Sequence, residues 1–188
     1  MRYIFLLSGW SGSGKTVLAN YLTYSRDFKQ YTIAEELHFL VLKKYNVDSM
    51  ALTKKEKTDI TDNELTYREI LANESKILKK IDINIFTKAL VSNIMLQDCV
   101  STLHRKKINN IIITDFKYAT EFNYINQTLC SGIKSKLITI RINRFNRMPF
   151  KCLSGSYLDK FNFTHYIDND TTIEEFRKKI ELIMEKYD

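Results

Sequence analysis

Hydrophobic positions in this chain alternate between short dense runs and longer stretches with helical spacing. Arg2-Tyr3-Ile4-Phe5-Leu6-Leu7 is a short, strongly apolar run that fits a buried strand. Beyond it, apolar residues at 17, 18, 21 and 22 take the spacing of a helix, and positions 34, 37, 40 and 41 predict another over residues 34–45. Residues 53–63 are polar and read as a loop. Helices follow at 66–78 and 83–104, the second long and amphipathic with Ile85, Phe86, Ala89, Leu90, Ile94 and Met95. Ile111-Ile112-Ile113-Thr114-Asp115 is a β-branched strand ending in a carboxylate. A helix over 119–129, a strand over 136–142, a short strand ending at 166–169 and an amphipathic helix over 173–187 complete the series, while 143–162 lacks clear periodicity. Strands separated by helices predict an α/β fold whose parallel sheet is covered on both faces.

Between the first strand and the first helix lies Ser8-Gly9-Trp10-Ser11-Gly12-Ser13-Gly14-Lys15-Thr16, which holds three of the chain's five glycines. It matches G-x-x-x-x-G-K-S/T without a mismatch. Glycines at 9, 12 and 14 let the backbone approach a ligand closely, so N–H groups along Gly9 to Gly14, with Trp10, Ser11 and Ser13 between, can surround phosphate oxygens. Lys15 would reach the β/γ-phosphates and the Thr16 hydroxyl would bind Mg²⁺. A loop that merely turns the chain could share this composition, but strand, loop and helix follow in the required order, and the helix N-terminus adds positive charge. The segment therefore predicts nucleoside triphosphate binding. Trp10 has two readings, an aromatic wall of the neighbouring pocket or a cap over the loop's own apolar neighbours.

Size and composition narrow the class further. A chain of 188 residues, with one proline (Pro149) and no linker-like stretch, predicts a single domain over 1–188. The N-terminal apolar run is too short to span a bilayer and runs straight into the glycine loop, so neither a membrane partner nor a signal peptide is expected. Three scattered cysteines suit reduced thiols of a cytoplasmic protein, and three scattered histidines show no metal-ligand spacing. The net charge of +7 fits a lysine-rich solvated surface better than nucleic-acid binding, since no RNA- or DNA-binding signature accompanies it.

Two further groups carry chemistry. Asp115, at a strand end, sits where a carboxylate can approach Mg²⁺ directly or through water; the alternative is an Asp that opens the following turn. Arg141, Arg144 and Arg147, followed by Lys151, gather at the irregular stretch and supply fixed charge suited to a transferring phosphoryl group, as a closing lid would.

Assembled, these segments resemble the deoxynucleoside monophosphate kinases of large viruses and phages, within the adenylate-kinase-like superfamily. Thr32-Ile33-Ala34-Glu35-Glu36-Leu37-His38 is similar to the family's short strand feeding an acceptor-binding helix. Tyr67-Arg68-Glu69-Ile70-Leu71 resembles its R-E-x-L element, and Lys79-Lys80-Ile81-Asp82 through Phe86 the stretch that opens its long helix. Ile113-Thr114-Asp115-Phe116-Lys117-Tyr118-Ala119-Thr120-Glu121 resembles its D-x-R-x-x-x-E signature, with Lys117 where arginine is usual. Tyr166-Ile167-Asp168-Asn169-Asp170 resembles the ending beside the donor base.

The resemblance implies a three-layer α/β/α P-loop kinase fold with a five-stranded parallel sheet, a small lid near 143–162, and acceptor-binding helices over about 34–104. It implies ATP with Mg²⁺, the metal held by Thr16 and Asp115. Lys15, Asp115 and Arg144 would serve the transfer itself; Arg141, Arg147 and Asn169 would lie on the donor side; Arg68, Lys79, Lys117 and Glu121 would hold the acceptor. For a viral source the compartment would be the host cytoplasm. Other readings are a P-loop kinase of another phosphorylated metabolite, such as phosphomevalonate or dephospho-coenzyme A, and a non-catalytic nucleotide-dependent binding module. The chain contains no N-K-x-D guanine element. Base, sugar and oligomeric state stay open, a homodimer among the arrangements.

Overall fold

Three of the five strands are dominated by residues buried on both faces, which is what the inner strands of a parallel sheet between helices require. The computed structural model describes residues 1–45, 66–131, 134–144 and 158–187. Within them run β1 (Arg2–Ser8), α1 (Lys15–Arg26), β2 (Lys29–Tyr31), α2 (Ala34–Lys44), α3 (Tyr67–Ile81) and α4 (Ile85–Leu103), then β3 (Ile111–Ile113), α5 (Ala119–Leu129), β4 (Ser135–Asn143), β5 (His165–Asp168) and α6 (Ile173–Met184). The sheet has five strands in the order β2-β3-β1-β4-β5, every neighbouring pair parallel.

Alternation along β1 divides the core in two. Ile4 and Leu6 face one side, where Phe86, Leu90 and Ile94 of α4 and Ile125 of α5 cover them. Phe5 and Leu7 face the other, against Leu18 and Leu22 of α1 and Phe176 and Ile180 of α6. The result is the expected three-layer α/β/α arrangement, with β1 at its centre.

Local signals set several boundaries. Thr66 caps α3 and accepts from the Glu69 N–H, while the Glu69 carboxylate accepts in return from the Thr66 N–H at 2.8 Å, a reciprocal capping box. Helix α3 runs three residues past the periodic stretch, to Ile81. Two expectations need correction. Arg141 is no part of an irregular lid: β4 continues to Asn143, and Arg141 pairs in register with Ser8 of β1. The short strand before α2 ends at Tyr31, ahead of the Thr32–His38 segment. The predicted loop at 53–63 and most of the predicted lid lie outside the described residues.

The order places a switch point at β1. The chain leaves β1 towards β2 and β3 on one side, then crosses to β4 and β5 on the other. In open parallel sheets ligands bind beyond the carboxyl ends of the strands at such a point. Ser8, Asp115, Arg144 and Asn169 all lie there.

Candidate active site

The glycine loop is built around positive φ. Gly9, Gly12 and Gly14 have φ of 149°, 78° and 111°, a region that disfavours any side chain. A Cβ on Gly9 would overlap the Ile142 carbonyl oxygen, and one on Gly14 would overlap the Asn169 amide. Helix α1 begins at Lys15 with Gly14 as its N-cap, no side chain capping it and no acidic residue in its first turn. Its leading N–H groups and dipole are therefore available to an anion. Ser13 Oγ is buried in the same loop without a hydrogen-bond partner among the described residues. An orphaned hydroxyl beside uncapped N–H groups fits a phosphate-bearing ligand.

Lys15 Nζ donates to the Gly9 carbonyl at 2.7 Å and the Trp10 carbonyl at 2.8 Å, which holds the ammonium against the inside of the loop. Burial first, then the nearby charges of Lys117 and Arg141, lower its pKa to about 8, with Asp115 opposing. The Trp10 ring is half-buried, and Thr16 is exposed on the first turn of α1.

Asp115 leaves the end of β3 and its Oδ1 and Oδ2 accept the N–H groups of Ile33 and Ala34 at 2.7 and 2.9 Å. The carboxylate thereby fixes the start of α2 beside the loop, as an acidic group at a helix N-terminus can. Desolvation pushes its pKa up, while those two bonds and Lys117 pull it down.

The residues expected on the donor side hold the loop from the opposite flank. Arg141 is buried; its Nη1 donates to Ser8 Oγ at 3.0 Å, its Nη2 to Asp159 at 3.1 Å, and its guanidinium lies 5.8 Å from the Phe163 ring centre. Arg144 Nη1 donates to the Gly12 carbonyl at 3.1 Å. Asn169 is buried and donates to the Ser13 carbonyl at 2.7 Å, so its side-chain N–H is directed at the loop backbone. Arg147 lies outside the described residues.

On the other flank, Lys79 from α3 projects towards the segment between β3 and α5. Its ammonium sits 4.3 Å from the Tyr118 ring centre and 6.0 Å from that of Phe86. Desolvation lowers its pKa, with Glu121 opposing and Lys117 assisting. Glu121 is buried and accepts the N–H groups of Lys117 and Tyr118 at 2.8 and 3.0 Å, so it shapes the Lys117 segment from beneath. Burial pushes its pKa to about 7. The backbone of Arg68 lies in the first turn of α3, and its side chain is outside the described residues.

Lys117 and Asp115 both act on the pKa of Lys15 and on that of Lys79, and Glu121 extends the same group. Residues separated by up to about a hundred positions in the chain thus form one cationic site with buried carboxylates beneath it. Sequence reading missed Tyr118, Phe86 and the Arg141 partners Ser8 and Asp159. An aromatic residue beside each predicted cation, as Tyr118 follows Lys117, was the available signal for the first.

No protein-family model matches the chain, and no curated protein is similar to it in sequence. Its likeness is to solved structures. Dephospho-CoA kinase from Campylobacter jejuni superposes with a TM-score of 0.50 at 16% identity, over 100% of this chain and 98% of that one. A sugar kinase from Janibacter sp. HTCC2649 does so with a TM-score of 0.50 at 12% identity, over 98% and 92%. Together with the strand order and the glycine loop, this likeness defines the class: the chain has a P-loop kinase fold. The narrower resemblance to deoxynucleoside monophosphate kinases rests on the sequence segments alone.

Proposed function

We propose that the protein transfers a phosphoryl group from ATP to a small acceptor that already carries a phosphate, a (deoxy)nucleoside monophosphate, giving the diphosphate. One observation carries this reading: cations on α1, α3 and the β3–α5 segment (Lys15, Lys79 and Lys117) share one site. A neutral acceptor needs no second pair of cations beyond the loop lysine. An acceptor phosphate does, because it brings negative charge towards a donor that is itself anionic.

The residues present fit ATP with Mg²⁺, which supplies the transferable group and a cation offsetting its charge. Lys15 would exchange its loop carbonyls for phosphate oxygens, and the N–H groups from Gly12 to Thr16 would surround them. Thr16 and Asp115 are the residues that would hold the metal. Arg144 anchors on Gly12 within reach of the donor side. Lys117 and Lys79, with Arg68 on the same helix as Lys79, would orient the acceptor phosphate. Tyr118 and Phe86, flanking Lys79, exclude water from the acceptor side, which favours transfer to the acceptor over hydrolysis. The acceptor phosphate is already an anion, so no strong general base is needed.

The test is ADP release from ATP with each deoxy- and ribonucleoside monophosphate, with dephospho-coenzyme A and phosphomevalonate alongside. Turnover is expected with a monophosphate, and Lys15→Ala should reduce kcat/KM at least about 100-fold, the scale of losing one preorganised charge contact. Absence of turnover with every monophosphate overturns the proposal; turnover with dephospho-coenzyme A or phosphomevalonate alone would keep phosphoryl transfer and replace the acceptor.

A further inference from the structure

Trp10 is the chain's single tryptophan, and it stands in a loop whose phosphate-binding chemistry is carried by backbone N–H groups. Its own carbonyl accepts from Lys15 Nζ at 2.8 Å and from the Ser13 N–H at 3.1 Å, so its backbone is committed to the inside of the loop. The ring is not. It is half-buried, yet it packs against neither of the two halves of the core. Among the described residues no other ring meets it, no cation lies over it, and its indole N–H has no hydrogen-bond partner. A cap over apolar neighbours would show such packing, and Trp10 does not.

The contacts of the loop divide it between two flanks. Gly12 receives Arg144, while Ser13 and Gly14 meet Asn169, so residues 12–14 face the side expected for the donor. Trp10 precedes that stretch and holds the Lys15 ammonium through its carbonyl. Of the charged groups acting on that ammonium, Lys117 of the β3–α5 segment acts most strongly. Trp10 therefore stands where the loop meets the acceptor flank, with a flat apolar surface that the fold leaves unused.

We propose, on the reading that the acceptor is a nucleoside monophosphate, that the Trp10 ring is one wall of the acceptor subsite and stacks on the acceptor's base. The ring's own electrostatics select the base over the phosphate. The face of an indole is the negative side of its quadrupole, so it gains nothing from an anion. Lys15, Lys79 and Lys117 are the groups suited to the phosphate. A base presents a flat π-face instead, and an aromatic side chain stacks on it whatever its identity. Trp10 would thus favour nucleotides over phosphorylated acceptors that lack a ring, without choosing among the bases.

A lone tryptophan makes the test direct, because its emission, excited at the red edge where tyrosine does not absorb, reports this position alone. The full chain is first filled with Mg²⁺ and a non-hydrolysable ATP analogue, so that any later response comes from the acceptor. Adding the monophosphate that turns over should then change the emission saturably. Ribose 5-phosphate, which carries the phosphate and sugar without a base, should leave it unchanged. In steady-state assays Trp10→Ala should raise the KM for that monophosphate about fivefold or more, the lower end of aromatic–base stacking. Trp10→Phe keeps an aromatic face and should recover most of the loss, and the KM for ATP should stay near wild type in both variants. Turnover with a monophosphate that leaves the emission unchanged overturns the wall and spares the proposed function. So does a response to the ATP analogue with none to the monophosphate, which would place the ring on the donor. An equal response to ribose 5-phosphate overturns stacking on the base. Absence of turnover with every monophosphate overturns the proposed function, and the Trp10 wall with it.

Discussion

Glu121 is a buried carboxylate whose two N–H donors only partly repay the loss of water, and its pKa near 7 follows from that imbalance. The consequence for stability has a definite sign. In the unfolded chain the carboxyl releases its proton near its ordinary value, so between about 4.5 and 7 the folded state holds a proton that the unfolded state has lost. The contribution is full below the unfolded value and disappears as pH rises through about 7, at most about 3 kcal/mol for the whole shift. Glu121→Gln keeps an acceptor for the Lys117 and Tyr118 N–H groups and removes the titration. Urea unfolding of both proteins at pH 5 and pH 8 should show the variant gaining relative to wild type as pH rises. A difference independent of pH would mean that Glu121 is not the group responsible.

Among elements, the periodic helices and the apolar or β-branched strands were legible, including the short β3 and β5, and the polar edge strand β2 was not. Residues 119–129 are a helix with the bounds their spacing predicts, because a buried stripe of Ile125 and Leu129 and a local cap at Tyr118–Glu121 agree. Strand β2 is three residues at the sheet edge, two of them exposed, too short for any period to register. Arg141 lies inside the strand predicted over 136–142, yet its charge groups it with the lid arginines, because the sequence shows no partner for a cation in a strand interior. Its partners, Asp159 and Phe163, lie beyond the strand and only the folded topology brings them back. The glycine loop is the opposite case, since its chemistry is local, yet its glycines are not equivalent. Gly9→Ala adds a methyl group that meets the Ile142 backbone as well as φ strain, whereas Gly12→Ala meets nothing within 4 Å. We expect Gly12→Ala to cost about 1 kcal/mol, the strain alone, and Gly9→Ala to exceed about 2 kcal/mol. Denaturant midpoints of the two variants check this; equal costs would show that the contact with β4 relaxes freely.

Across the whole molecule, the parallel sheet delivers charges from distant parts of the chain to one point, and Arg141 shows what that does. It joins β4, the base of the glycine loop at Ser8 and the turn at Asp159, and its charge also lowers the pKa of Lys15. Those two effects separate by substitution. Arg141→Gln removes one part of the repulsion, so the Lys15 pKa should rise above about 8, while burial and Lys117, the larger causes, still hold it below its ordinary value. Arg141→Lys keeps the charge, so that pKa should stay low, while the planar fork that spans Ser8 and Asp159 is lost. A cationic Lys15 holds phosphate better than a neutral one, so ATP affinity should fall as pH rises through the pKa of the free protein. In titrations of nucleotide binding from pH 7 to 10, the midpoint of that fall should move upward for Arg141→Gln and stay in place for Arg141→Lys. Both variants should unfold at lower denaturant than wild type, because each disturbs a buried hydrogen-bonded group. If the midpoint moved equally for both, the hydrogen-bond geometry rather than the charge of Arg141 would set the state of Lys15.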